Sequence, residues 1–331
     1  MKNREITAAI AAIGGYVPST ILDNQQLEKT LDTTDEWITT RTGIKERRIL
    51  DDPALATSDM ATFAIEDLLK NYNIDPLSIE CLVLATSTPD SILCPTASVV
   101  CEKAGLKNAW GFDLNAACSG FLYALSVGTS FIESGRYGKV LVIGADQMSA
   151  IVNYEDRNSC ILFGDGAGAV LLEANSEGYG VREYIMKTDG AGAKHLSVPA
   201  GGSAFPATAK TVQDKRHFVQ QDGRTVFKEA INNMSTTCKE LVSTTGLTID
   251  GIDWVVPHQA NLRIIKAVSE ETGIDFAKFK VNIQRYGNTT AATIPLCLWD
   301  FKGDFKKGDN ILLTAFGAGF NWGSTYIKWS I

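Results

Sequence analysis

Cys118 lies in GFDLNAACSGFLYAL (111–125), between a strand-like run and a segment with helical apolar spacing. That places it at a helix N-terminus, where unpaired N–H groups and the dipole favour an anion and lower a thiol pKa. Ala116, Ala117, Ser119 and Gly120 around it are small and leave the sulfur approachable. A thiol so placed can act as a nucleophile; the same string also describes a buried structural cysteine. His258, one of three histidines with His195 and His217, ends the apolar run WVVPH and opens QANLRIIKAV. It therefore sits at the C-terminal end of a strand, where α/β sites form, although a structural hydrogen-bonding histidine occupies such places too. In QRYGNTTAATIPL (284–296), Asn288 follows Gly287 and precedes a Thr-rich helix start. Taken alone it reads as a plain N-cap, a position asparagine favours. In AFGAGFNWGS (315–324), Gly317, Gly319 and Gly323 break a strand, and such a turn can aim backbone N–H groups at a developing oxyanion. FGDGAGA (163–169) runs into the strand-like AVLLE, so it fails the context test of a dinucleotide loop.

The elements that must hold these residues alternate. Strand-like runs at 81–87, 139–146, 167–173, 254–258 and 310–316 are separated by helix-like segments such as 58–72 and 261–273. Near-continuous apolar strands of this kind belong to sheets covered on both faces, as in α/β folds. No Pro/Gly/Ser linker divides the chain, and the polar, loop-rich stretch 188–224 reads as an inserted flap. ILFGDGAGAVLLE echoes LLTAFGAGFNWGSTYIKW, and AGLKNAWGFDLNAACSGFLYAL echoes TGIDFAKFKVNIQRYGNTTAATIPL. The second echo sets Cys118 opposite the Gly287–Asn288 pair, in a duplicated α/β half with a site at the pseudo-twofold axis.

Bulk properties narrow the class. The 331 residues carry a net charge of −7, which argues against nucleic acid as the main partner. Seven scattered cysteines without CxxC or Cys/His ligand spacing predict reduced thiols in the cytosol and no metal centre. The opening MKNREITAAIAAIGGYVP has a basic flank and a short apolar run broken by Gly14, Gly15 and Pro18. It reads as a buried first strand, not a leader. No apolar stretch approaches the roughly 20 residues that span a bilayer, so a soluble, cytoplasmic protein without membrane contact is predicted.

Taken together and in this order, AACSGF, VPHQANLRI, GNT and FGAGFNWGS closely resemble the β-ketoacyl-acyl-carrier-protein synthase III family of the thiolase fold. The likeness covers essentially the whole chain, including TTDEWITTRTGIKERRI (33–49), DRNSCILFGDGAGA (156–169) and DGRTVFKEA (222–230). It implies an α/β, thiolase-like fold of two duplicated halves in a layered α-β-α-β-α core. The first half, 1–174, would carry Cys118, and the second, 175–331, His258 and Asn288. It implies initiation of type II fatty acid synthesis, with acyl-CoA and malonyl-acyl carrier protein as substrates, no cofactor, and a homodimer. Cys118 would take the acyl group. His258 and Asn288 would donate hydrogen bonds to the malonyl thioester oxygen during decarboxylation. The backbone N–H groups of Cys118 and Ala318 would form a second hole, at a position where many relatives have glycine. Phe316 would shape the pocket. Trp37 and Arg41 would line the CoA end, with Arg157 stacking across the adenine from Trp37. Asn261 and Gly223 would meet pantetheine, and Arg263, with Lys228 and Lys266, the acidic carrier protein. Cys94 stands where acetyl-preferring relatives carry a phenylalanine that closes the partner's acyl pocket, so branched or longer primers should be tolerated. The resemblance also admits a relative of specialised metabolism (acyl-resorcinol or quinolone type); a thiol hydrolase of acyl-CoA and a non-catalytic acyl-CoA scaffold are further readings, the last opposed by the intact Cys118, His258 and Asn288.

Overall fold

The computed structural model describes residues 6–331; the basic flank Lys2–Arg4 lies outside them. Residues 7–175 form β1 (Thr7–Tyr16), β2 (Thr20–Asp23), α1 (Asn24–Glu28), α2 (Asp35–Thr42), β3 (Glu46–Ile49), α3 (Thr57–Tyr72), β4 (Cys81–Ala85), α4 (Thr96–Lys103), β5 (Trp110–Leu114), α5 (Gly120–Glu133), β6 (Lys139–Gln147) and β7 (Asp165–Asn175). Residues 180–328 form β8 (Gly180–Thr188), β9 (Leu196–Ser197), α6 (Ala209–Gln213), β10 (Gln220–Gln221), α7 (Gly223–Thr245), β11 (Trp254–Pro257), α8 (Leu262–Thr272), α9 (Ile283–Tyr286), α10 (Thr293–Asp300), β12 (Asn310–Gly317) and β13 (Asn321–Lys328).

Two sheets repeat one plan. The first runs β1-β7-β6-β4-β5, and the second β8-β13-β12-β11, with a parallel bridge from Val255 to Phe279 standing where β5 stands in the first. Both sheets mix parallel and antiparallel pairs in the same places: β4 with β6 and β11 with β12 are parallel, β6 with β7 and β12 with β13 antiparallel. The strands expected at 81–87, 139–146, 167–173, 254–258 and 310–316 are all present, shifted by at most two residues at their ends.

Strand alternation explains the layers. In β4, Cys81, Val83 and Ala85 face the central core, while Leu82 and Leu84 face α3 and α4. Side chains of a strand alternate between faces, so apolar residues at every position require cover on both sides. α5 and α10 fill the space between the sheets, with Phe121, Leu125, Ile294 and Leu298 fully or almost fully buried. α3 and α4 cover the outside of the first sheet, and α7 and α8 that of the second. The architecture is therefore the five-layered α-β-α-β-α sandwich. One glycine shows how tightly the middle layer is seated: a Cβ on Gly144, in β6, would collide with the Ala291 carbonyl at the start of α10.

The stretch 188–224 is largely loop, as expected, yet it folds back. β9 and β10 pair as a short ribbon, and Leu196, Val198 and Val219 line the main cavity. Gly323 does not break the last strand: it lies inside β13, packed on Ile185 and Met186, and only 318–320 form the turn.

Candidate active site

Each sheet ends in the same kind of turn. After β5, Ala117 takes the left-handed backbone (φ 48°), a 3-10 turn spans Ala117–Ser119, and α5 follows. In the second half, Thr290 takes φ 49°, a 3-10 turn spans Thr290–Ala292, and α10 follows. Non-glycine residues hold this conformation only where the surroundings enforce it. The enforcing bond is the same twice: Asn115 Oδ1 accepts from Ala117 N–H (3.0 Å), and Asn288 Oδ1 accepts from Thr290 N–H (2.9 Å). This corrects the pairing drawn from the sequence echo. Asn288 is the counterpart of Asn115, and Ala291 the counterpart of Cys118. The strand ahead of Cys118, expected over 113–117, runs instead from Trp110 to Leu114, because the chain must turn to reach Ala117.

Cys118, His258, Asn288, Phe316, Ala318, Gly223 and Asn261 all line one cavity of about 360 Å³. His258 follows β11, and its backbone N–H donates to the Thr314 carbonyl (2.8 Å) in β12. Its ring is buried, and Nδ1 lies 2.7 Å from Thr293 Oγ1. Burial pushes the imidazole down to a pKa of about 3, so it is neutral at physiological pH. Asn288 is held on both sides by the 162–164 segment: its N–H donates to the Leu162 carbonyl (2.8 Å), and its carbonyl accepts from Gly164 N–H (3.1 Å). With Oδ1 engaged by Thr290, the Nδ2 donors remain for a ligand.

The thiol departs from expectation. Burial, and then the charge of Asp146, push Cys118 up to a pKa of about 12. Lost hydration and a nearby carboxylate oppose the favourable field at the α5 N-terminus, so the resting sulfur is a protonated thiol. Gly317 passes close by: a Cβ there would lie 2.7 Å from the Cys118 nitrogen. Only glycine lets the end of β12 come so near the Cys118 amide.

Asp146 is a residue the sequence reading passed over. It is fully buried at the end of β6 and joins the two halves. Oδ1 accepts from Ser87 N–H (2.6 Å), Thr86 Oγ1, Thr88 N–H and Thr88 Oγ1 (each 3.1 Å). Oδ2 accepts from Ala291 N–H (2.9 Å) and from the Thr290 hydroxyl. Desolvation raises its pKa even so. The signal was available: a charge closing the apolar strand VLVIGAD, at the same strand end that drew attention to His258.

A profile of 3-oxoacyl-[acyl-carrier-protein] synthase III matches residues 112–190, and a profile of its C-terminal part matches 242–329. The β-ketoacyl-[acyl-carrier-protein] synthase III of Chlorobaculum tepidum is 53% identical over 326 residues, covering 97% of this chain and 99% of that relative. The chain belongs to the β-ketoacyl-[acyl-carrier-protein] synthase III family. The enzyme of the same name from Phocaeicola vulgatus is 50% identical over 325 residues, covering 98% of this chain and 97% of the relative. The crystal structure of 3-oxoacyl-[acyl-carrier-protein] synthase III from Aquifex aeolicus VF5 matches with a TM-score of 0.89 at 40% identity, covering 97% of this chain and 100% of that one.

The other residues marked by the family resemblance fall outside the cavity. Trp37, on α2, lies between two guanidinium groups, Arg41 at 4.7 Å and Arg157 at 5.3 Å from the ring. Arg157 also donates to the Asp32 carbonyl (2.6 Å). A base stacked on Trp37 from that side has to displace Arg157. Arg263 lies over Phe227 (5.3 Å), and Lys266 is exposed near Phe276 (5.9 Å). Lys228 lines a separate polar depression shared with Lys239 and Glu271. Cys94 is exposed and does not reach this chain's own cavity; its neighbours Ile92 and Leu93 are 91% and 94% exposed. Among the described residues, no three His, Cys, Asp or Glu side chains converge as a metal would require, and no helix is long and apolar enough to cross a membrane.

Proposed function

We propose that this condensing acyltransferase initiates type II fatty acid synthesis through an acyl-Cys118 intermediate. The carrying observation is that Cys118, a neutral His258 and Asn288, from three separate segments, line one mostly apolar cavity. Cys118 Sγ attacks the thioester carbon of an acyl-CoA. The new C–S bond forms as the bond to CoA breaks, and CoA leaves as its thiol with the proton that Cys118 gives up. A malonyl group on acyl carrier protein then enters. Its carboxylate leaves as CO2, and the electron pair of the broken C–C bond moves onto the thioester oxygen. A neutral imidazole and an amide stabilise that oxygen, whereas carboxylates would repel it; each such donor is worth about 3–4 kcal/mol in comparable sites. The enolate carbon attacks the acyl group, a C–C bond forms, the bond to Sγ breaks, and the sulfur regains a proton from solvent. The Cys118 and Ala318 amides, brought together at Gly317, serve the oxyanion of the acyl centre, and Phe316 shapes the pocket. None of these steps calls on a metal or an organic cofactor.

Trp37, Arg41 and Arg157 receive the CoA end, Asn261 and Gly223 the pantetheine arm, and Arg263, Lys228 and Lys266 the carrier protein. This basic surface on a chain of net charge −7 suits an acidic partner. We place the boundary of the halves at 174/175, one residue before β7 ends, and assign the protein to the cytoplasm. The edge strand β5, with Trp110 half exposed among Phe112, Phe131 and Tyr137, and the exposed Ile92 and Leu93 favour a homodimer. Cys94, on the same exposed loop, is smaller than phenylalanine and leaves room for branched or longer primers.

The test is intact mass after mixing with acetyl-, isobutyryl-, hexanoyl- or decanoyl-CoA, with Cys118→Ala as control. An acyl increment on the wild type alone, converted to 3-oxoacyl carrier protein when malonyl carrier protein is added, supports the reading. Release of free acid without condensation would make the protein a hydrolase. No increment with any primer would remove the first step. A steep fall in turnover from acetyl to isobutyryl primers would overturn the proposed tolerance.

A further inference from the structure

A neutral imidazole carries one proton, on Nδ1 or on Nε2, and the two forms do opposite chemistry at the free nitrogen. We propose that the Thr293 hydroxyl holds His258 in the form protonated at Nε2, which makes it a hydrogen-bond donor toward the malonyl thioester oxygen. Thr293 is thus a positioning residue for decarboxylation. The inference rests on the catalytic reading of His258 given above.

Three observations carry it. First, His258 Nδ1 and Thr293 Oγ1 are 2.7 Å apart and both residues are buried. It is the ring's one hydrogen bond among the described residues, and the separation is typical of a hydroxyl donor and shorter than the usual N–H···O. Second, Thr293 Oγ1 also lies 3.0 Å from the Thr290 carbonyl, but that carbonyl already receives the Thr293 backbone N–H. A hydroxyl has one proton; the Thr290 carbonyl is satisfied without it, so the proton is available to Nδ1. Third, Nδ1 is directed to α10 and away from the cavity, because Thr293 does not line that cavity and His258 does. The nitrogen left for the substrate is Nε2. When Nδ1 accepts, Nε2 bears the hydrogen. The counterpart of Thr293 in the first half is Gly120, the first residue of α5, which has no hydroxyl to give. The device exists only in the half that carries the histidine.

The test measures two half-reactions in Thr293→Val, Thr293→Ser and His258→Ala: acyl transfer from acetyl-CoA to Cys118 by intact mass, and decarboxylation of malonyl carrier protein. Valine matches threonine in shape but cannot donate. Decarboxylation is expected to fall about 10- to 100-fold in Thr293→Val, approaching the roughly 10²- to 10³-fold loss typical of a missing oxyanion donor in His258→Ala. Acyl transfer should change far less, and Thr293→Ser should restore decarboxylation. Nitrogen-15 spectra of the wild type should show the proton on Nε2. The proposal is overturned by a proton on Nδ1, by full decarboxylation in Thr293→Val, or by an equal loss of both half-reactions there, which would mark a structural role. Full decarboxylation in His258→Ala would instead sink the catalytic reading itself.

Discussion

The two strand-to-helix turns at the centre of the molecule share a backbone and carry different side chains. Asn115-Ala116-Ala117-Cys118 and Asn288-Thr289-Thr290-Ala291 each place an asparagine carbonyl on the N–H of a left-handed residue. In the first turn the side chain after the strained residue is the thiol, and its neighbours Ala116, Ala117, Ser119 and Gly120 are small. In the second that position is alanine, and hydroxyls surround it. Thr290 donates to Asp146 and Thr293 meets His258. In the proposed mechanism one turn presents the nucleophile and its copy fixes the donors. The duplicated fold supplies the scaffold twice, and in the proposed mechanism the side chains on it decide which half-reaction each copy serves.

The sharpest break of this comparison is Cys118→Ala. It should abolish the acyl increment in mass spectra and all condensation, while malonyl decarboxylation persists because the second turn is intact. Next comes the matched pair Asn288→Ala and Asn115→Ala. Each loses its turn bond, about 1 kcal/mol by denaturant unfolding, but only Asn288→Ala should lose about 10²- to 10³-fold in decarboxylation. Equal kinetic losses in the two would mean that asparagine acts through the turn alone. Asp146→Asn replaces one accepting oxygen by a donor, against N–H groups and hydroxyls from both halves. A loss of about 1–3 kcal/mol of stability is expected, with decarboxylation and acyl transfer both slowed, since this carboxylate touches both sides of the site. Unaltered unfolding would show that the halves do not depend on it.

The smallest effect is in pH. Burial keeps His258 neutral down to a pKa of about 3, against 6.5 for an ordinary imidazole. The decarboxylation rate should therefore show no titration near pH 6.5; a break there would place the imidazole in contact with water. The linked stability has a definite sign. Below 6.5 the unfolded chain takes up a proton that the folded ring refuses, so this group's contribution to stability declines as pH falls from 6.5 toward 3.

Much was readable before any coordinates. Near-continuous apolar runs located the strands β4, β6, β7, β11 and β12, since residues buried on both faces have few alternatives to an apolar side chain. The strand-end position of His258 and the helix-start positions of Cys118 and Asn288 were visible because polar or reactive residue types stood at element boundaries. Asp146 escaped notice because one carboxylate in an apolar run carries no sign of the hydrogen bonds that will satisfy it. The echo between the halves was seen, but its register was three residues off, because only the backbone dihedrals of Ala117 and Thr290 reveal which residues correspond.

The amino-acid sequence by itself determined which residue types are present and where the chain must be strand or helix, because hydrophobic periodicity and local propensity act over a few residues. Only the tertiary structure decided the charge states. The thiol is raised and the imidazole is lowered because both are removed from water by segments more than a hundred residues apart in the chain. It also decided that Asp146 bridges the halves, a contact that exists only when the halves meet, and that Thr293 faces His258, which requires α10 to pack on the end of β11.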